Sequence, residues 1–322
     1  MTGRLSPEND HTFQLVIVGV CTCGRPQMLR ECLDSLGEQL TLSDIAVEIV
    51  VVDNEATPSA RGIVHEFGRR SPFPVHYIHE PRRGIATARN CVLDQATERC
   101  AQWIAFIDDD EIADPDWVSN LMAPEYRGTP VLAGAVWRRW PDDPPFWCLP
   151  RERKDREEGK RIKSALSGNV RFSTALIRAG LRFNEQLRLM GGEDQEFFTA
   201  AHKAGFEIRQ TERAIVIELF HPERQTYRAH VFRAYWGAAS DVRRLAVAKG
   251  WSNAITRKAH TIPFLLIAGP AELLASPLFL LGGVGMFKRR ALAGGKKTAK
   301  AIGRAAAMAG HLPQPYRFIA GR

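Results

Sequence analysis

Asp108, Asp109, Asp110 and Glu111 stand side by side at the end of a short apolar run, Ile104–Ile107. The run reads as a buried strand, so the carboxylates lie where that strand leaves its sheet. Four adjacent carboxylates repel one another, and burying them without a counter-charge is costly. A hard divalent cation, which favours oxygen ligands, is the simplest partner. The bland alternative is a solvated acidic turn, with Asp110 or Asp114 capping a helix begun at Pro115. A second acidic pair, Glu193 and Asp194, follows Gly191 and Gly192 near the start of a helix expected over Met190–Ala204. There the helix dipole should keep both carboxylates ionised, with low pKa values. An ionised carboxylate facing a cleft can serve as a general base; plain N-capping is the alternative. His221, in the stretch HPERQ, is open to three readings: metal ligand, phosphate contact or surface histidine.

The elements that must position these groups alternate in type. Strands are expected at Phe13–Val20, Ala46–Val52, Val75–His79 and Ile104–Ile107, and helices between them at Gln27–Glu38, Thr57–Arg69 and Ile85–Thr97. That order predicts an α/β fold with a mainly parallel sheet and right-handed crossovers. Polar residues follow each strand in turn: Thr22, Asp53, the Arg82–Arg83 pair and the aspartate triplet. All should face one rim, where ligands of open α/β sheets bind. No G-x-G-x-x-G follows the first strand and no Walker A motif is present, so a metal would have to carry a nucleotide's phosphates. Further on, a helix is expected over Asp116–Pro124 and strands over Pro130–Val136, Ala165–Ser173 and within Phe206–Phe220. Gly168 in the second of these strands permits close approach of a ligand or another backbone. Trp137–Pro150, followed by the charged stretch Arg151–Lys163, reads as a long exposed excursion. Its aromatics, Trp137, Trp140, Phe146 and Trp147, either stack on a sugar, face a lipid surface or pin the loop to the domain.

The chain has 322 residues, 45% hydrophobic and 25% charged, with a formal net charge of +8. A basic balance favours anionic partners such as nucleotide phosphates or a membrane surface. Nucleic acid is not expected, because neither a basic–aromatic RNA signature nor zinc-finger spacing occurs. The six cysteines show no C-x-x-C pair, which argues against a disulfide framework and fits a reducing cytoplasm. Met1–His11 is polar and acidic, without a signal-peptide core.

Ile262–Phe287 differs in kind, since Glu272 is its only charged residue. Its length approaches that of a bilayer span, but Pro263, Pro270, Pro277 and the Gly282–Gly283 pair interrupt it. A membrane-embedded or interfacial helical hairpin is expected, with a buried core helix as the alternative. Lys288, Arg289, Arg290, Lys296, Lys297 and Lys300 follow, and suit an anionic cytoplasmic leaflet. The chain therefore divides into a polar tail (1–12), an α/β domain (13–225), a basic amphipathic helical region (226–261), the apolar hairpin (262–287) and a basic tail (288–322).

The stretches VCTCGRP, VVVDNE, RRGIATARN, AFIDDDE and GGEDQEF, in that order, resemble the family 2 inverting glycosyltransferases of GT-A fold. The resemblance covers about Val16–Arg244. Within the family, DNEATPSAR and ARNCVLDQAT look most like bacterial exopolysaccharide enzymes of the succinoglycan glucosyltransferase type. It implies that Thr22 and Asp53 contact the base and ribose of a nucleotide sugar, favoured as a UDP-sugar, with Arg83 and Arg89 near the base or diphosphate. Asp108 and Asp110 match the D-x-D motif: Asp110 would bind Mg²⁺ or Mn²⁺, and Asp108 or Asp109 would hold the ribose or sugar. Asp194 would be the base, with Glu193 beside it positioning a sugar. HPERQ departs from the family's commoner valine–proline pattern, which puts a metal role for His221 in doubt. A lipid-linked saccharide acceptor at the cytoplasmic face of the inner membrane completes what the resemblance and the apolar segment together imply.

Rival classes fit less well. An aspartyl phosphatase places its D-x-D after the first strand rather than the fourth. A nucleotidyltransferase opens with a Gly-rich loop that is missing near Cys21–Pro26. A scaffold without transfer activity has no need of both acidic sets.

Overall fold

The computed structural model describes residues 13–149, 156–187, 189 and 191–311. The tail 1–12, residues 150–155 of the excursion, Arg188, Met190 and the stretch 312–322 lie outside them.

The first half alternates as its apolar patterning dictates: β1 (Gln14–Thr22), α1 (Pro26–Gly37), β2 (Ile45–Asp53), α2 (Arg61–Gly68), β3 (Val75–His79), α3 (Ile85–Glu98) and β4 (Trp103–Asp108). β1, β2, β3 and β4 pair in parallel, with β1 central between β2 and β4. Strands buried on both faces must be apolar throughout. Accordingly Val16, Val18 and Val20 of β1 pack on one face with Leu29, Leu33 and Leu36, while Ile17 packs on the other with Ala88 and Val92. Gly19 is required there, because a Cβ would lie 2.6 Å from Val92 Cγ1 and 2.8 Å from Phe106. α2 begins at Arg61 rather than Thr57. The Asp53 carboxylate accepts the backbone N–H groups of Ser59 and Ala60, each at 2.8 Å, and holds the preceding residues as a loop.

The second half adds β5 (Glu111–Ala113), α4 (Trp117–Leu121), β6 (Val131–Arg138), β7 (Arg161–Ile162), β8 (Asn169–Ser173), α5 (Ala175–Arg178), α6 (Glu193–Lys203) and β9 (Ile208–Glu218). The sheet runs β3-β2-β1-β4-β8-β6-β9-β5, with β7 on β9. It is mixed here: β8 runs antiparallel to β4 and β6, and β5 antiparallel to β9. The acidic cluster is therefore followed by a strand, not by a helix capped at Asp110 or Asp114. Asn169 ties three strands, donating to Ala135 O (3.0 Å) and Ala214 O (2.9 Å) while accepting from Trp117 Nε1. Arg171, fully buried, donates to the carbonyls of Leu121, Tyr126 and Thr129 and stacks on Trp103. Burial without a carboxylate partner pulls its pKa down to about 9.

The described residues end in helices: α7 (Tyr227–Lys249), α8 (Trp251–Ala259), α9 (Thr261–Ala275), a 3-10 segment Ser276–Gly282, and α10 (Val284–Met308). Thr226 caps α7 by accepting from Ala229 N, and Gly250 breaks it at φ +83°. The hairpin differs from its expected bounds. It turns at Gly283 (φ +97°), and its second limb is α10, so the basic residues 288–300 lie on a helix rather than in a tail. Small residues permit this close packing: a Cβ on Gly294 would lie 2.6 Å from Leu273 N, and one on Gly303 2.1 Å from Tyr235 O. Trp147 resolves the open reading of the aromatic excursion. Its ring centroid lies 4.9 Å from that of Tyr227 and 6.1 Å from that of Phe287, so it pins the loop to α7 and α10.

Candidate active site

The site forms where β4 ends, and the sheet register brings three further elements to it. Cys21 of β1 lies opposite Asp108, which puts Thr22 and Arg25 beside the cluster. The β5–β9 ladder sets Glu111 against Glu218, and Leu219 N donates to Asp110 O at 2.8 Å. The five residues that follow Leu219 bring His221 and Arg224 back to Asp110.

Each carboxylate is treated differently. Asp109 is buried, and accepts Thr22 Oγ1 at 2.8 Å and Arg25 Nη1 at 2.9 Å. Desolvation outweighs these partners and pushes its pKa up to about 6. Asp110 is also buried, but its Oδ2 meets His221 Nε2 at 3.0 Å, Arg224 Nη1 at 3.0 Å and Arg25 Nη1 at 3.2 Å. Burial works against its charge, yet the His221 hydrogen bond and the two guanidinium groups hold its carboxyl well below the usual range. Burial, reinforced by Asp108, lifts the Glu111 carboxyl well above its ordinary value; its Oε2 accepts Asp108 N at 3.1 Å. Asp108 is the most open of the four, its side chain 43% exposed. Gly168 faces this cluster: a Cβ would lie 2.9 Å from Glu111 Oε1 and 3.0 Å from Asp108 Oδ2. Its lack of a side chain thus makes room for carboxylates.

Arg89 joins the two acidic sets. Buried on α3, it pairs with Glu193 at the start of α6 and with Asp108 at 3.4 Å. Burial disfavours its charge, but Glu193 and Asp108 more than offset that and hold it protonated. Arg89 is thus committed to carboxylates, unlike the expectation that it would face the base or diphosphate. Glu193 corrects a second expectation. It is buried, and desolvation raises its pKa despite Arg89, so burial prevails over the helix dipole. Its Oε2 has no hydrogen-bond partner. Asp194, one residue on, is half-buried and accepts Gln195 N at 2.7 Å; its charge acts on both Arg89 and Asp108.

Thr22 and Asp53, expected to contact the base and ribose, are both buried at the ends of β1 and β2. Thr22 is buried and spends its hydroxyl proton on Asp109. Asp53 is fully buried; besides Ser59 and Ala60 it accepts Tyr77 Oη at 3.0 Å, so its carboxylate orders the loop after β2. Asn54 arranges the neighbouring turn, donating to Glu80 O and Arg82 O and accepting Gly84 N. That turn carries Arg83, which makes no ion pair among the described residues and whose Nε is buried without a partner.

Arg25, Arg224 and His221 are the residues that local reading passed over or doubted. Arg25 lies inside the VCTCGRP stretch, and HPERQ follows a strand end; both were visible, but their shared partner was not. Among the described residues no group of three His, Cys, Asp or Glu side chains is placed to hold a metal alone. Asp110 and His221 nonetheless supply one oxygen and one nitrogen donor at hydrogen-bond distance. That set suits a cation which takes its other ligands from a phosphate-bearing substrate and water.

Residues 17–184, just over half of the chain, match the profile described as Glycosyl transferase family 2. The succinoglycan biosynthesis protein ExoM of Rhizobium meliloti (strain 1021) is 33% identical over 211 residues, 62% of this chain and 65% of that protein. An uncharacterized glycosyltransferase, EpsJ of Bacillus subtilis (strain 168), is 25% identical over 62% of this chain and 59% of its own length. The chain thus matches under two thirds of the length of these relatives. Among solved structures, a mannosyltransferase of Pyrobaculum calidifontis in complex with GDP-Man and Mn²⁺ superposes with a TM-score of 0.54 at 17% identity, over 88% of this chain and 87% of that one. S. aureus TarS in complex with UDP-GlcNAc gives 0.50 at 17%, over 88% and 89%. At such identities the likeness concerns the GT-A fold alone. The profile match and the ordered acidic strand ends agree: the chain belongs to glycosyl transferase family 2.

Proposed function

We propose that the chain transfers a hexose from a UDP-sugar to a hydroxyl of a lipid-linked saccharide in exopolysaccharide biosynthesis, with inversion at the anomeric carbon. The observation that carries this reading is the Arg89 bridge, which ties Glu193, next to Asp194, to Asp108 of the donor-side cluster. Asp194 takes the proton of the acceptor hydroxyl as its oxygen attacks the anomeric carbon. The bond from that carbon to the diphosphate oxygen breaks, and the nucleoside diphosphate leaves from the opposite face. Glu193 and Arg89 fix the start of α6, and so the direction of Asp194. Asp108, the exposed member of the cluster, holds the ribose or sugar, and Asp109 supports it from below through Thr22. Arg83, with its unpaired guanidinium, faces the base or diphosphate. Asp53 keeps the shape of the nucleotide loop.

Asp110 and His221 would hold Mg²⁺ or Mn²⁺, whose chemistry is charge neutralisation of the departing diphosphate. Arg25 and Arg224 keep Asp110 ionised at that point. Nucleotide-sugar use is supported by solved relatives captured with UDP-GlcNAc and with GDP-Man and Mn²⁺. Residues 13–225 serve as the catalytic unit. A position of that unit at the cytoplasmic face of the inner membrane is supported by Trp251–Gly282, which is long and apolar enough to cross a membrane and only 11% buried over its most apolar window.

Calorimetry with UDP, with and without Mn²⁺, tests the donor site. Metal-dependent binding lost in Asp110→Ala is expected. Absence of UDP binding under both conditions would overturn the UDP-sugar assignment. Transfer from UDP-[¹⁴C]glucose to membrane extracts should vanish in Asp194→Asn while UDP binding persists; full activity in that variant would remove Asp194 from the role of base.

A further inference from the structure

A groove with a cavity of about 560 Å³ runs between α7, α9 and α10. Val231, Phe232, Leu273 and Ile302 give it apolar walls, while Tyr227 and Arg228 stand at one end of α7. Three features say what it holds. First, its wall residue Leu273 belongs to an exposed apolar stretch of α9 and the 3-10 segment. Leu273 is 39% exposed, Leu274 beside it 82%, and Leu278 and Leu281 follow at 71% and 96%. An occupant can therefore enter from a hydrocarbon phase. Second, its one cationic lining residue, Arg228, is exposed and makes no ion pair among the described residues, so an anionic head can be met there. Third, the groove is tied to the site. Arg224 bonds Asp110, and Tyr227 lies only three residues further on, at most about 11 Å of chain. Trp147, on the loop after β6, packs on Tyr227.

We propose that this groove binds the hydrocarbon tail of the acceptor lipid, with Arg228 against its phosphate, so that the attached sugar is delivered toward Asp194. The inference rests on the proposed transfer to a lipid-linked acceptor and adds the place where the lipid is held. A groove of this size takes a ligand-sized stretch of chain. A bulk phospholipid would satisfy the walls, but it would gain nothing from a groove that starts beside the reacting groups.

The test is photo-crosslinking of the full chain in detergent with a benzophenone-bearing farnesyl diphosphate, with adducts mapped by mass spectrometry. Adducts on α7, α9 and α10 are expected, displaced by unlabelled geranylgeranyl diphosphate but not by phosphatidylglycerol. Ile302→Trp, which fills the groove, and Phe232→Asp, which charges its half-exposed wall, should each lower labelling about tenfold. Both variants should retain UDP binding, which shows that they fold and that the donor site stands apart from the groove. Adducts outside these helices, equal displacement by phosphatidylglycerol, or unchanged labelling in both variants would overturn the proposal. So would a dimer in light scattering that Phe232→Asp converts to monomer, since a second copy would then fill the groove. Wild-type protein that fails to bind UDP would instead refute the donor reading.

Discussion

His221 Nε2 lies 3.0 Å from Asp110 Oδ2 across 111 residues of chain, and Arg224 Nη1 reaches the same oxygen at 3.0 Å. The imidazole thus belongs to the acidic cluster rather than to the surface. His221→Ala should weaken Mn²⁺-dependent UDP binding by about 10- to 100-fold, the usual cost of losing a group that orients or shares a metal ligand. Chelation with EDTA should lower wild-type UDP affinity, and Mn²⁺ should restore it. Titration calorimetry measures both effects; identical affinities in wild type and variant would detach His221 from the donor site.

Arg89 is the only guanidinium touching both Asp108 and Glu193 among the described residues. Arg89→Met leaves a carboxylate buried without its counter-charge and should cost about 3–5 kcal/mol in urea denaturation. Adding Glu193→Gln should recover part of that loss, because the orphaned charge is gone. An additive double variant would show that the pair does not couple the helices.

Stability should depend on Asp109 in a defined direction. Its folded pKa of about 6 lies above the ordinary 3.8, so the native state holds a proton that the unfolded chain has lost. Its stabilising contribution is complete below the unfolded value and is lost as pH rises through about 6. Wild type should therefore lose up to about 3 kcal/mol relative to Asp109→Asn between pH 4 and pH 7. Asp110 has the opposite sign: its carboxyl is held low, so its contribution is present above the ordinary value and disappears only in strong acid. Denaturation curves for both proteins across that range decide the matter; parallel pH profiles would mean that Arg25 keeps Asp109 ionised throughout.

Gly168→Ala places a Cβ 2.9 Å from Glu111 Oε1 and 3.0 Å from Asp108 Oδ2. Glu111 must shift and Asp108 give way with it, so kcat/KM for transfer should fall about tenfold, roughly 1.4 kcal/mol. The melting temperature should fall too, because Glu111 is buried and cannot yield freely. A variant with wild-type turnover would show that Asp108 need not hold its present position.

The exposed leucines of α9 and the 3-10 segment should carry membrane attachment. Leu274→Asp combined with Leu281→Asp, at positions 82% and 96% exposed, should release the protein from phosphatidylglycerol vesicles in a flotation assay without unfolding it. Unchanged flotation would assign attachment to the basic residues of α10 alone.

Local patterning determined the first four strands, the three helices between them and the acidic end of β4. Each depends on apolar periodicity within some ten residues, and the breakers Gly24, Pro26 and Gly84 mark the joints. The start of α6 was legible from its glycine pair, and the apolar segment from its composition. Only the tertiary structure decided which groups meet. The β5–β9 pairing returns the chain to Asp110 and brings His221 and Arg224 with it. The parallel order of β1 and β4 puts Arg25 on the same carboxylate. Such partners lie more than eighty residues apart, and no local period records them. Burial is equally non-local. It turned Asp53 inward to its own loop, committed Arg89 to Glu193, and raised the carboxyl that a helix terminus alone would have kept low. Desolvation depends on everything packed around a group, whereas capping and dipole effects are written in its immediate neighbours.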